Sequence, residues 1–185
     1  MTTINIKNMV CPRCISAVRA ILVSMGFEIE EITLGQAVVN DDLTEELLKS
    51  LAEKLQDDGF ELLDDPRSCL VEQIKIGVLQ WVRMSGQRPK LSNYISGIAN
   101  RDYSSLSRLF TQVKGVTIEH FVIQHRVEYA KELLSYSQHS ISEIAYMLGF
   151  SSPAHLTSQF KQQTGMSPKE FRELKTKKRL HLDEI

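Results

Sequence analysis

Two stretches of the chain, 50 residues apart, repeat one another, and this repeat restricts what the second half can fold into. Leu106, Phe110, Gln112, Gly115 and Phe121 recur as Leu156, Phe160, Gln162, Gly165 and Phe171, while Ser107 and Thr117 recur as Thr157 and Ser167. A one-residue slip upstream pairs Ile95 with Ile144, Ala99 with Leu148 and Asn100 with Gly149. Asn and Gly are the residues most tolerant of a left-handed turn. Each copy is therefore predicted to be a short helix, a tight turn, a second helix and a glycine stop. That is a helix-turn-helix, present twice.

The rest of this half also reads as helix. Leu70, Val71, Ile74, Val78, Trp81 and Val82 form one apolar stripe, closed by Gly86 and Pro89. Short helices are expected over Leu91–Ala99 and Ser104–Lys114, and a longer one over Ile118–Ser135 with Val122, Val127, Ala130, Leu133 and Leu134 inward. Ser140-Ile141-Ser142-Glu143 and Ser167-Pro168-Lys169-Glu170 have the form of capping boxes. Lys175–Arg179 reads as a basic tail.

The first 65 residues differ in kind. Thr3–Lys7 alternates as a strand, and Cys11–Met25 has helical spacing, with Pro12 suited to the first helical position and Gly26 as its stop. Phe27–Leu34 and Ala37–Val39 are two strands around Gly35-Gln36, Thr44–Asp57 is helical, and Phe60–Leu63 is a last strand. The predicted fold class is α+β, with a ferredoxin-like βαββαβ domain over 1–65 and an all-α double helix-turn-helix domain over 66–175, then a tail over 176–185. Charge divides the same way. Residues 1–65 hold 5 Lys and Arg against 13 Asp and Glu, a formal −8; residues 66–185 hold 17 against 10, a formal +7. An acidic half joined to a basic half points to two domains, one of them near a polyanion.

Residues 141–172 run ISEIAYMLGFSSPAHLTSQFKQQTGMSPKEFR. This run resembles the signature of AraC/XylS-type transcription regulators, I-x-x-I-A, G-F, F-x-x-x-F-K, T-G and S-P-x-x-F-R, with Leu156 replacing the first aromatic. The resemblance reaches back to about residue 70, nearly two thirds of the chain. It implies a seven-helix DNA-binding unit, its two helix-turn-helix motifs bridged by one long helix, able to enter successive major grooves about 34 Å apart. The repeat's apolar residues belong to the core, so base reading is left to the opposite faces. In the first motif these are Ser104, Ser107, Arg108 and Thr111; in the second, Ala154, His155, Thr157, Ser158 and Lys161. Arg108 can bridge guanine O6 and N7, the alternative being a surface salt bridge. His155, Thr157 and Ser158 are short and suit phosphate or methyl contacts.

The amino-terminal half carries Met9-Val10-Cys11-Pro12-Arg13-Cys14 at a strand-to-helix junction, where helix amides and Arg13 favour thiolate. A bare CxxC is compatible with metal binding, a metal-free interaction domain or thiol redox sensing. Over residues 2–64 the context resembles heavy-metal-associated domains of the copper-chaperone fold, with Asn8-Met9-Val10 where that family has Gly-Met-Thr. The resemblance implies metal ligation by Cys11 and Cys14, and two soft thiolates suit copper(I) better than zinc, which needs two further ligands.

Three cysteines cannot make a disulfide scaffold, so a cytoplasmic location is expected, with Cys69 a small buried residue. The amino terminus has no signal-peptide pattern, and no run approaches the ~18 apolar residues that span a bilayer. His120, His125, His139, His155 and His181 show no ligand spacing, and no nucleophile–base or paired-carboxylate arrangement is visible, so no enzyme is expected. The expected function is sequence-specific transcription regulation, responsive to metal through the CxxC loop, with double-stranded DNA and RNA polymerase as partners. The rival is a metal-trafficking or sequestering protein whose helical half binds a protein.

Overall fold

The computed structural model describes residues 1–84, 87–136 and 139–174. Gly86, the basic run Lys175–Arg179 and the rest of the expected tail lie outside the described residues. The chain starts with β1 (Thr2–Lys7), α1 (Pro12–Ser24), β2 (Ile29–Thr33), β3 (Gln36–Val39), α2 (Glu45–Asp57) and β4 (Glu61–Leu63). The four strands form one sheet in the order β2-β3-β1-β4, every neighbour antiparallel, with Asn5 opposite both Gln36 and Leu63. Side chains alternate across a strand. Ile4 and Ile6 therefore enter a core with Val18, Leu22, Leu51 and Leu55 from α1 and α2, while Asn5 faces the other way.

Several sequence boundaries move. Pro12 is the first helical residue of α1 as expected, with Cys11 as the N-cap, while Met25 is the C-cap rather than a helical residue. Phe27 is buried but lies before β2 rather than in it, and β4 begins only after Phe60. In both places hydrophobicity reports the core, whereas the ladder starts where a partner strand supplies hydrogen bonds.

Seven helices follow among the described residues: α3 (Pro66–Arg83), α4 (Leu91–Ala99), α5 (Tyr103–Lys114), α6 (Ile118–Tyr136), α7 (Ile141–Met147), α8 (Pro153–Thr164) and α9 (Pro168–Glu173). The apolar stripe of α3 packs with Ile95, Leu106, Phe110, Phe121 and Val122. A separate cluster joins the later part of α6 to α7, α8 and α9 through Val127, Leu134, Ile144, Leu148, Leu156, Phe160 and Phe171. Helix α6 belongs to both clusters and so holds the two helix-turn-helix units in one body.

The back of α3 is not solvated. Glu72, Lys75, Ile76 and Gly77 are buried as well: Glu72 and Ile76 meet the open side of the sheet domain, while Gly77 lies against Ile95 and Ile98 of α4. A cavity of about 170 Å³ remains there, lined in part by Asn5, Gly35, Gln36, Leu63, Glu72 and Ile76. Cys69 also lines it and is half-buried, less enclosed than its sequence context suggests. At Gly35, with φ +79°, an added Cβ would fall 2.3 Å from Ile76 Cδ1, so the β2–β3 turn and α3 meet with no room for a side chain.

Candidate nucleic-acid interface and cysteine loop

Helices α5 and α8 are built alike. Each starts at a side-chain cap that satisfies amides otherwise left open: Asp102 accepts from the Ser105 N–H and Ser152 accepts from the His155 N–H. Each ends at a glycine with positive φ, Gly115 and Gly165. The turn ahead of each is left-handed at matching positions, Asn100 at φ 47° and Gly149 at φ 71°. Capping boxes at Ser140 and Ser167 are both closed in the predicted form. The residues assigned inward, Leu106, Phe110, Ile144, Ala145, Leu148, Leu156, Phe160 and Phe171, are each at most 3% exposed.

That burial sets the opposite faces outward. Ser104, Arg108, Thr111, Ala154, His155, Ser158 and Lys161 are exposed, and Ser107 and Thr157 are half-buried between them. The first group lines a shallow groove together with Tyr103 and Gln112. Among the described residues Arg108 forms no ion pair, so its guanidinium is available to a ligand. The Thr111 and Thr157 hydroxyls donate to the Ser107 and Pro153 carbonyls at 2.9 and 2.8 Å. Each threonine therefore keeps a methyl and an acceptor for any partner rather than a free donor. His155 is held against Ser151 Oγ at 2.9 Å and edge-on to Phe150, which fixes its ring. Counting outward along α5 passed over Gln112, although its recurrence as Gln162 in the repeat was the available signal. Its Oε1 accepts from Arg67 of α3 at 3.1 Å.

Behind the second turn lies a group of cations that pair with no carboxylate among the described residues. Arg126 lies 5.0 Å from the Trp81 ring centre and 5.5 Å from that of Phe150, and Arg88 lies 5.5 Å from Trp81. Arg88 also donates to the carbonyls of Val82, Met84 and Met147. Burial, and then the neighbouring Arg88, bring Arg126 down to about 10. Aromatic faces and backbone carbonyls replace the missing counter-ions.

At the other end of the molecule the loop after β1 brings Cys11 Sγ to 3.5 Å from Cys14 Sγ, both half-buried. The two thiols differ. Burial raises Cys11, but the Cys14 amide and thiol and the Arg13 peptide outweigh it, so Cys11 lies below the usual cysteine value. Burial dominates at Cys14, which lies above it. The thiolate expectation is thus met at one sulfur and reversed at the other. Met9 is fully buried in the core and directs no thioether to the loop. No group of three or more His, Cys, Asp or Glu suited to a metal occurs among the described residues. Two sulfurs without a third donor fit a two-coordinate soft ion and do not complete a tetrahedral zinc site.

Comparison with known proteins agrees with the helical half. A family model described as a helix-turn-helix domain matches residues 95–174. The HTH-type transcriptional activator RhaR of Yersinia pseudotuberculosis is 39% identical over 69 residues, 37% of this chain and 24% of that protein. An uncharacterised HTH-type transcriptional regulator of Staphylococcus aureus is 42% identical over 69 residues, 37% of this chain and 9% of the relative. The match thus spans about a quarter or less of these relatives. The C-terminal domain of AraT, a response regulator from Geobacillus stearothermophilus, aligns with a TM-score of 0.51 at 23% identity, covering 63% of this chain and 92% of that one. A probable AraC family transcriptional regulator from Rhodopseudomonas palustris aligns at 0.50 and 18%, covering 57% and 96%. These two show a shared helical fold. Among the described residues no helix is long and apolar enough to cross a membrane. Two matching capped helices on one bridging helix, under a family model that takes in nearly all of both motifs, mark residues 95–174 as similar to a helix-turn-helix domain.

Proposed function

We propose that the chain is a sequence-specific DNA-binding transcription regulator that responds to a soft metal ion through its amino-terminal half. The observation that carries the DNA reading is the pair of capped helices, α5 and α8, with outward polar faces on one bridging helix. Amides at the start of each helix and the serine and threonine side chains suit phosphate, which sets register. Arg108 is the base reader, Lys161 supplies positive charge beside the second helix, and the threonine methyls suit thymine. RNA polymerase is the protein partner through which such a regulator would act.

For the amino-terminal half we adopt the ferredoxin-like, heavy-metal-associated reading. It is supported by the βαββαβ order with CxxC at the β1–α1 junction. Cys11 and Cys14 would hold copper(I) in preference to zinc. The ion would supply a link between two sulfurs that a pair of thiols lacks.

Selection of duplexes from a random pool, with and without copper(I) under reducing conditions, tests both parts. The expected result is an enriched site whose affinity falls steeply with salt, as phosphate contacts require, and shifts several-fold with the metal only when both cysteines are present. No enrichment rejects the DNA reading. Enrichment with identical affinity in metal rejects metal responsiveness alone.

A further inference from the structure

Polar contacts tie the cysteine loop to buried side chains of α3, and the apolar face of the same helix packs on the first recognition helix. Asn8, just ahead of the loop, has φ 72°, a conformation Asn tolerates better than most side chains. Its backbone N–H donates to Glu72 Oε1 at 3.1 Å, and its side chain donates to the Gly59 carbonyl at 2.9 Å. Its carbonyl accepts from the Cys14 thiol at 3.9 Å. One residue therefore touches the loop on one side and α3 on the other. The second oxygen of Glu72 accepts from Lys75 Nζ at 2.9 Å, and both side chains are 6% exposed. The Lys75 charge also acts on the DNA-binding unit. Burial first, and then the Lys75 charge, hold Lys114 in the last turn of α5 below its ordinary value, and the same two causes act on His125 of α6. Packing follows the same route: Ile76 fills the space over Gly35, and Val71 and Ile74 pack with Leu106 and Phe110 of α5.

An ion pair this deeply buried contributes little net stability, because desolvation offsets attraction. It does impose geometry, since neither charge can move away without leaving the other unpaired in a dry site. We propose that Glu72 is a coupling residue, linking the conformation of the Cys11–Cys14 loop to the placement of α5 through the Asn8 N–H on one side and the packing of α3 on the other. This rests on the regulator reading above and supplies the route by which an event at the loop reaches DNA.

Coupling between two sites is reciprocal. If the loop changes DNA affinity, DNA must change the loop, and the two thiols report that without any metal. The experiment uses the full chain and measures alkylation of Cys11 and Cys14 by iodoacetamide, with and without a saturating duplex selected from the random pool. In the parent protein the duplex changes the alkylation rate of at least one of the two thiols. Glu72→Leu combined with Lys75→Met removes the acceptor and leaves no orphan charge; it binds the duplex and its thiol rates no longer respond. Glu72→Gln keeps an oxygen for Asn8 and is the milder variant should the double one fail to fold; its response falls by at least half. Unchanged rates in the parent, or a parent-like response in either variant, overturn the proposal. A parent that binds no duplex marks failure of the DNA reading, and hydrogen exchange at residues 111–115 then decides the coupling alone. Cys11→Ser with Cys14→Ser alters that exchange in the parent background and not in the double-variant background; equal effects in both overturn it.

Discussion

Arg108 combines exposure with the absence of an ion pair among the described residues, on the outward face of α5. Arg108→Ala is expected to cost about 1–3 kcal/mol on the best duplex and to relax preference at one base pair. Uniform weakening across all sequences would make it a phosphate contact instead. His125 presents the opposite situation, a titratable side chain buried with both ring nitrogens unpartnered and its ring edge-on to Phe121. Burial, then Lys75 and Arg83, push it down to about 4 from an ordinary 6.5. The folded state therefore holds it neutral, while the unfolded chain takes up a proton below about pH 6.5. Its contribution to stability is complete above that pH and is lost as pH falls toward 4, on the order of 3 kcal/mol in total. Equilibrium unfolding of His125→Leu between pH 7 and 4 should show a shallower loss than the parent by that amount. Identical slopes would mean the imidazole is charged in the folded protein. Neither its burial nor its lack of partners was legible in the sequence, where His125 was one of five histidines without spacing.

Among the elements, the second turn is the most constrained. Gly149 has φ 71°, and an added Cβ would lie 3.1 Å from Arg88 Nη1 and 3.3 Å from Arg126 Nη2. Arginine tips can yield, so the backbone strain decides, and Gly149→Val should cost about 1–3 kcal/mol. A lower melting temperature together with lost duplex binding is the expected outcome; unchanged melting and affinity would contradict this account of the turn. The turn was legible because the repeat pairs Gly149 with Asn100, and those two residue types share one conformational permission. The capping boxes and the inward faces of α5 and α8 were legible for the same kind of local reason. Helix α3 was legible only in part. Its apolar stripe marked the face toward α4, α5 and α6, but Glu72 and Lys75 at i,i+3 look in sequence like a solvated surface pair. Only the assembled structure, with the loop after β1 against Glu72, shows that they are buried. Likewise Asp102, the cap of α5, escaped notice because no glutamate or glutamine follows at the capping-box position.

At the scale of the whole molecule, the formal charges of −8 and +7 point to two domains. The contact between them runs through α3, which carries Val71, Ile74, Val78, Trp81 and Val82 into the helical core and sets Glu72 and Ile76 against the sheet. An amino-terminal half of roughly 65 residues is close to the lower limit for a self-sufficient core, and here α3 covers the back of its sheet. Losing that half would leave Ile76 and a buried ion pair open to water on the basic half. The two halves are therefore expected to unfold together. Unfolding enthalpy scales at roughly 0.7 kcal/mol per residue near 60 °C, so one cooperative event should show a van't Hoff enthalpy of about 130 kcal/mol, equal to the calorimetric value. Independent halves would give about 45 and about 80 kcal/mol by the same scaling, in two transitions. Scanning calorimetry of the intact chain distinguishes these directly. Two resolved transitions would show that α3 belongs energetically to one half alone, and the sheet would then be an appendage whose state the DNA-binding unit need not register.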